Sequence, residues 1–206
     1  MKVLVINGSP HEKGCVYTSL CEVTDVLNKE GIETELFQLG DRPIRDCNGC
    51  AGCKQTKRCV FNEDGVNECI DKLIASDGLL LGSPVYYAGP RNALCSFLDR
   101  MFYLKQHLYS YKAAASIVNC RRGGASAALD RLNKYFGISR MPLVASQYWA
   151  FTHGTTPEEV KQDLEGMQVM RTLGRQMAWL LKAIAKEGSA EVAAREEAPV
   201  RTNFIR

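Results

Sequence analysis

Short apolar runs alternate with helical periods along most of this chain, and that alternation restricts the fold more than any single motif. Residues 3–6 read as a short buried strand. Residues 16–29 follow with Leu20, Val23, Val26 and Leu27 on one helical face, closed by Gly31. Residues 33–39 read as strand two, 66–75 as a helix, 78–81 as strand three, 91–104 as a helix, 113–119 as strand four, 125–136 as a helix and 142–146 as strand five. Strands that alternate with helices predict a parallel sheet with helices on both faces. Five strands favour the flavodoxin-like order 2-1-3-4-5, with ligands at the carboxyl ends of strands one and three.

At 206 residues the chain suits one α/β domain with an insertion. The expected organisation is a domain over 1–186, with a cysteine-rich insertion at about 40–64 and a tail or arm over 187–206 rich in Ala, Glu and Arg. One final helix is expected from Thr156-Pro157-Glu158-Glu159. Thr156 would be its N-cap, Pro157 its first helical residue and Glu159 the partner in a capping box. Its stripe runs Val160, Leu164, Met167, Met170, Leu173, Met177, Leu180, Ile184 and reads as core packing.

A formal net charge of +3, spread along the chain, argues against nucleic acid as a partner. No apolar run reaches the length of a membrane span, and the first residues read as a core strand rather than a signal peptide. Nine cysteines without an export signal point to a reducing cytoplasm, where clustered thiols favour metal or redox roles.

Three loops at the predicted ligand edge carry the candidate site. Loop one runs from Gly8 to Thr18 and enters a helix start, where unpaired N–H groups suit a phosphate. Ser9 and Thr18 add hydroxyls, and His11 can add charge. Neither G-x-x-x-x-G-K-[ST] nor G-x-G-x-x-G is present, which excludes a triphosphate P-loop and a dinucleotide fingerprint. Loop two, from Gly82 to Pro90, offers Tyr86 and Tyr87 as stacking faces between Gly and Pro hinges. Loop three, Asn119-Cys120-Arg121-Arg122-Gly123-Gly124, sets two arginines beside a Gly pair. A response-regulator receiver shares this architecture, but the acidic residues it needs after strands one and three are replaced by Asn7-Gly8-Ser9 and Gly82-Ser83.

Between strand two and the next helix lies Cys47-x2-Cys50-x2-Cys53-x5-Cys59. Structural zinc sites usually pair two knuckles a dozen or more residues apart, so zinc fits poorly, whereas cubane clusters take thiols this closely spaced. The alternatives are a Cys50–Cys53 dithiol that cycles, or a set of thiols with no ligand. The remaining five cysteines read as small packing residues.

Val-Ile-Asn-Gly-Ser-Pro at 5–10, the cysteine run, Leu-Gly-Ser-Pro-Val-Tyr-Tyr at 81–87 and Phe97-Leu98-Asp99-Arg100 together resemble the NADPH-dependent FMN reductase family of flavodoxin-like proteins, nearest to its iron–sulfur flavoproteins. The resemblance covers roughly residues 1–185 and implies FMN as cofactor. Ser9, His11, Cys15 and Val16 fall at its phosphate-loop positions, within a stretch that also holds Tyr17 and Thr18. Pro84, Val85, Tyr86, Tyr87 and Gly89 fall at ring-contacting positions. Arg121, Arg122, Gly123 and Gly124 match the third loop, which Asn119 opens. His11 stands where the family often has Arg, and Cys15-Val16 where it often has Asn-Thr. The resemblance also implies a [4Fe–4S] cluster on Cys47, Cys50, Cys53 and Cys59, and a homodimer or tetramer. Electrons would pass from NAD(P)H or ferredoxin to a flavin, quinone, azo or nitro compound, or oxygen. No side chain stands out as a catalytic acid or base, as expected where the flavin carries the chemistry. A non-enzymatic flavin/thiol carrier or redox sensor is the rival reading.

Overall fold

A computed structural model describes residues 1–195 together with Glu197, Ala198, Val200 and Thr202. Strand β1 (Lys2–Asn7) is buried from Val3 onward, as a central parallel strand must be when both its faces are covered. Helix α1 (Cys15–Lys29) and strand β2 (Glu33–Gln38) follow. Helices α2 (Gly52–Thr56) and α3 (Val66–Ile74) lead to strand β3 (Gly78–Tyr86). Next come β4 (Gly89–Pro90), α4 (Asn92–Lys105), β5 (Ala113–Cys120) and α5 (Ala125–Ile138). The chain continues through β6 (Phe151–His153), α6 (Pro157–Gln162), α7 (Leu164–Glu187) and α8 (Ala190–Ala194).

The strands run β2-β1-β3-β5-β6, all parallel, with β4 hairpinned onto β3. This is the flavodoxin-like order. Side chains alternate across the sheet, so each strand feeds two cores. Val3 and Val5 pack under α1 and α7 with Leu20, Val23, Met170 and Met177. Leu4 and Ile6 pack on the other face with Ile70, Phe97, Leu132 and Phe136 from α3, α4 and α5.

Three elements differ from the expected ones. Strand β3 runs through Tyr86 rather than stopping at Leu81, so much of loop two is strand. Gly82, Ser83 and Pro84 pair with Ile117, Val118 and Asn119, and Val85 and Tyr86 pair back onto Pro90 and Gly89. The hairpin turns on Tyr87 and Ala88, at φ 50° and 58°. A type I′ turn needs positive φ at both central residues, and neither residue here is the glycine that would announce it.

The fifth strand is β6, not residues 142–146. That segment pairs with β5 only where Leu143 bridges Ala114, although Val144 packs into the core beside the strand. The chain then swings outward and returns as three residues beside Val118, Asn119 and Cys120. An edge position needs pairing on one side only, so the edge can be split in this way.

The final helix is two helices. Asp163 (φ −75°, ψ 77°) breaks the run, and its carboxylate accepts the Gly166 N–H at 2.9 Å to cap α7. Its other oxygen accepts the His153 N–H at 2.7 Å, tying the break to β6. Thr156 caps α6 by accepting the Glu159 N–H at 3.2 Å, whereas the Glu159 carboxylate reaches back to Thr155. Of the expected stripe, Leu164 is exposed and the methionines are buried within the chain's own core. The expected tail over 187–206 begins as α8, and Glu196, Pro199, Arg201 and 203–206 within it lie outside the described residues.

Candidate functional site

The carboxyl ends of β1, β3 and β5 lie side by side, with Asn7 beside Gly82 and Pro84 beside Asn119. All three loops therefore meet at one edge of the sheet. Loop one leaves β1 and enters α1 at Gly14, where no side chain caps the helix and no acidic residue occupies its first turn. The first-turn N–H groups of Cys15, Val16 and Tyr17 are thus available to an anion, at the positive end of the helix dipole. Burial pushes the Cys15 thiol up, so it stays neutral there and adds no charge that would repel a phosphate.

The loop is held from beneath by Asn7, which is fully buried. Its Oδ1 accepts the Ser9 N–H at 3.1 Å. Its Nδ2 donates to Gln38 Oε1 at 2.6 Å and to the His11 and Glu12 carbonyls at 3.4 Å. Gln38 in turn donates to the Ser9 carbonyl at 2.8 Å. Ser9 Oγ accepts the His11 N–H at 3.2 Å, which leaves its own O–H free to donate. Thr18 spends its hydroxyl proton on the Gly14 carbonyl at 3.2 Å. His11 stands exposed at the loop's rim.

Loops one and two lock together through Gly8, whose N–H donates to the Gly82 carbonyl at 2.8 Å. Arg91 adds a second tie. Its Nη1 donates to the carbonyls of Gly8 and Gly40 at 3.2 and 2.6 Å, while its backbone N–H donates to Ser83 Oγ at 3.0 Å. Tyr87 is fully exposed and Tyr86 about half exposed, with Pro84, Val85 and Gly89 beside them. Loop three reaches loop two at Gly124 (φ 83°), which lies so close to Ala88 that a Cβ there would sit 2.7 Å from its Cα. Arg121, Arg122 and Gly123 are exposed.

Asn119 has a different place from the other predicted residues. Its amide donates to the Thr152 carbonyl and hydroxyl at 3.2 and 3.1 Å, and Thr152 meets Ser19 of α1 at 2.7 Å. This buried triad fastens β5, β6 and α1 behind the site. Asn7, Gln38, Arg91 and Thr152 escaped the sequence reading. Polar residues at the ends of apolar strands were the available signal, since such groups, when buried as Asn7 and Thr152 are, must find partners.

The four clustered cysteines are free thiols, and all four line one cavity of about 30 Å³ beside Arg100 and Tyr103 of α4. Among the described residues no three Cys, His, Asp or Glu side chains converge closely enough on one point for a single metal ion. A cubane is larger and takes four thiolates, so the four cysteines that line this one cavity match it in donor chemistry. Cys59 is the most firmly held. Its N–H donates to Asn67 Oδ1 at 2.8 Å, and Asn67 Nδ2 returns to its carbonyl at 2.9 Å. The cavity lies along α4, eight residues from its start, or about 12 Å at 1.5 Å per residue. It is therefore set apart from the three loops. The other cysteines behave as packing residues: burial pushes the thiols of Cys21, Cys69, Cys95 and Cys120 up.

Residues 1–156 match the family model described as NADPH-dependent FMN reductase. An iron–sulfur flavoprotein of Methanocaldococcus jannaschii is 32% identical over 194 residues, covering 90% of this chain and all of that one. An iron–sulfur flavoprotein of Methanosarcina thermophila is 25% identical over 190 residues, covering 90% of this chain and 98% of that one. The solved structure of a flavodoxin from the domain Archaea superposes with a TM-score of 0.60 at 13% identity, over 88% of this chain and 99% of that one, a likeness of fold.

Proposed function

The chain belongs to the NADPH-dependent FMN reductase family of flavoprotein oxidoreductases, and from that premise we propose that it binds FMN at the three-loop edge and passes electrons from NAD(P)H or ferredoxin to a small acceptor such as a flavin, quinone, azo or nitro compound, or oxygen. One observation carries the FMN site: an uncapped helix start, with no acidic residue in its own first turn, lies where the loops of β1, β3 and β5 meet. Ser9, His11 and the N–H groups of Cys15, Val16 and Tyr17 hold the phosphate, and Thr18 closes the first turn behind them by donating to the Gly14 carbonyl. Pro84, Val85, Tyr86, Tyr87 and Gly89 flank the ring on one side, and Arg121, Arg122, Gly123 and Gly124 on the other. Asn119 supports them from behind. When bound, FMN supplies hydride and one-electron chemistry. The chain's own work is to hold and orient it, with the arginines positioned to offset negative charge on the ring.

We also propose a [4Fe–4S] cluster on Cys47, Cys50, Cys53 and Cys59. The name carried by the two relatives and the shared cavity support this. The place of action is the cytoplasm, where such thiols persist reduced. No helix among the described residues is long and apolar enough to cross a membrane.

Anaerobic purification tests both cofactors. The expected product is yellow-brown, with one FMN and about four irons and four sulfides per chain, and it oxidises NAD(P)H steadily when a quinone is supplied. A colourless protein that refuses added FMN would end the flavin reading. Bound FMN without turnover would favour the carrier or sensor.

A homodimer or a tetramer is the expected assembly. Tyr148 and Trp149 pair ring to ring at 4.9 Å yet remain more than half exposed, with Leu143 and Trp179 exposed nearby. Clefts of about 480 and 470 Å³ flank this segment. Such a surface suits a second copy of the chain. Light scattering at high micromolar concentration should give twice or four times the chain mass, and a monomer there would refute the assembly.

A further inference from the structure

Arg100 belongs to the Phe97–Arg100 motif, yet it touches none of the flavin loops described above. It is 3% exposed, and a cation that deep must be fully partnered. Its guanidinium has five N–H donors, and five hydrogen bonds leave it. Nε and Nη2 both donate to Cys59 Sγ at 3.3 Å. Nη2 also donates to the Phe61 carbonyl, and Nη1 to the Arg45 carbonyl and the Asp64 carboxylate. Every one of these acceptors lies in residues 45–64. One side chain on a rigid helix therefore grips the cysteine segment on both flanks, before Cys47 and after Cys53.

We propose that Arg100 is the positioning residue of the cysteine loop, and that its two donors to Cys59 Sγ raise the one-electron reduction potential of a cluster held by the four thiols. The second half rests on the cluster reading above. The physical ground is charge. Reduction adds an electron to an anionic thiolate cluster, and N–H donors at a ligand sulfur stabilise the added charge. Cys47 and Cys50 are exposed, so water screens charge at their corners, whereas Cys59 is half-buried and rests on the guanidinium. Lysine cannot substitute. It carries the same charge but has only three donors and no planar fork to serve a sulfur, two carbonyls and a carboxylate together.

Two variants separate the hydrogen bonds from the charge. Arg100→Lys keeps the cation. Arg100→Gln with Asp64→Asn removes both members of the buried ion pair, leaves the net charge unchanged and avoids stranding Asp64. Each is purified anaerobically beside the native protein and reconstituted with ferrous iron and sulfide. FMN content reports folding. A dithionite titration followed by electron paramagnetic resonance gives the cluster potential, and amide hydrogen exchange reads residues 45–64.

The expected result is unchanged FMN, a cluster potential shifted negative in Arg100→Lys and further negative in the double variant, and faster exchange confined to 45–64. Equal potentials in all three proteins with full iron content would overturn the redox role. A native protein that takes up neither iron nor sulfide would end the cluster reading instead. The positioning role would then stand on faster exchange over 45–64 in the variants, and unchanged exchange would overturn it.

Discussion

Replacing Asn7 by leucine should weaken FMN binding by about 10- to 100-fold. The side chain is fully buried and serves both as acceptor for the Ser9 N–H and as donor to Gln38. Leucine has similar bulk but satisfies neither. Each polar group left unpaired beneath the loop costs about 1–3 kcal/mol. Part of that cost is relieved if loop one moves, and a moved loop no longer presents Ser9 and the first N–H groups of α1 together. Quenching of FMN fluorescence on titration measures the effect. An affinity within twofold of native, in a variant that is demonstrably folded, would mean that loop one does not hold the phosphate.

Replacing Gly124 by alanine should lower the thermal unfolding midpoint by about 5–15 °C, and FMN affinity with it. Two penalties act together. A residue with a Cβ at φ 83° pays about 1–2 kcal/mol for the left-handed conformation. The new Cβ would also lie 2.7 Å from Ala88 Cα and 3.3 Å from Ala88 N, which are backbone atoms that no rotamer change can move. Overpacking of this kind costs about 1–3 kcal/mol, and at this chain length each kcal/mol is worth about 2–4 °C. A second change of Ala88→Gly removes the Ala88 Cβ, 3.0 Å from the new one, and the left-handed strain at Ala88 (φ 58°), so it should recover part of the loss while the backbone contact remains. A midpoint within about 2 °C of native would show that loops two and three can separate freely at this contact.

The two positions differ in how readable they were. Gly124 could be marked as part of a Gly pair after strand four, but that it abuts the turn after β3 depends on two loops 36 residues apart. Asn7 is an ordinary polar residue at the end of an apolar run. Its importance comes from Gln38, which arrives at the same edge only because β2 pairs with β1 in register, Asn7 beside Gln38. The same holds for Arg100. The sequence marks Phe97-Leu98-Asp99-Arg100 as a motif, with Phe97 and Leu98 inward, but helical spacing cannot say that Arg100 also turns inward to meet Cys59, 41 residues earlier.

The strongly periodic parts were legible. The apolar run of β1 and the stripes of α1 and α4 lie where local pattern puts them, because burial on a fixed face imposes a period that local sequence alone displays. The weakly patterned parts were not. Strand β6 is three residues long, too short for any period, and is a strand only because Val118, Asn119 and Cys120 offer it a ladder. Residues 142–146 have a strand-like composition but find one bridge, since the chain is led away along the sheet edge. Asp163 interrupts a helical stripe because its carboxylate gains the N–H groups of both Gly166 and His153, a partner that local pattern does not reveal.

The sequence by itself therefore pointed to the doubly wound order, the edge at which the loops gather and the cysteine quartet through local period and local spacing, and to the family through the resemblance of its ordered motifs. Only the tertiary structure decided which residues brace the site: Asn7 and Gln38 under loop one, Arg91 between loops one and two, Gly124 against Ala88, and Arg100 across the cysteine segment. Those contacts join positions 31 to 83 residues apart. Whether two such residues meet is settled by strand register and helix packing, which no local window of sequence contains.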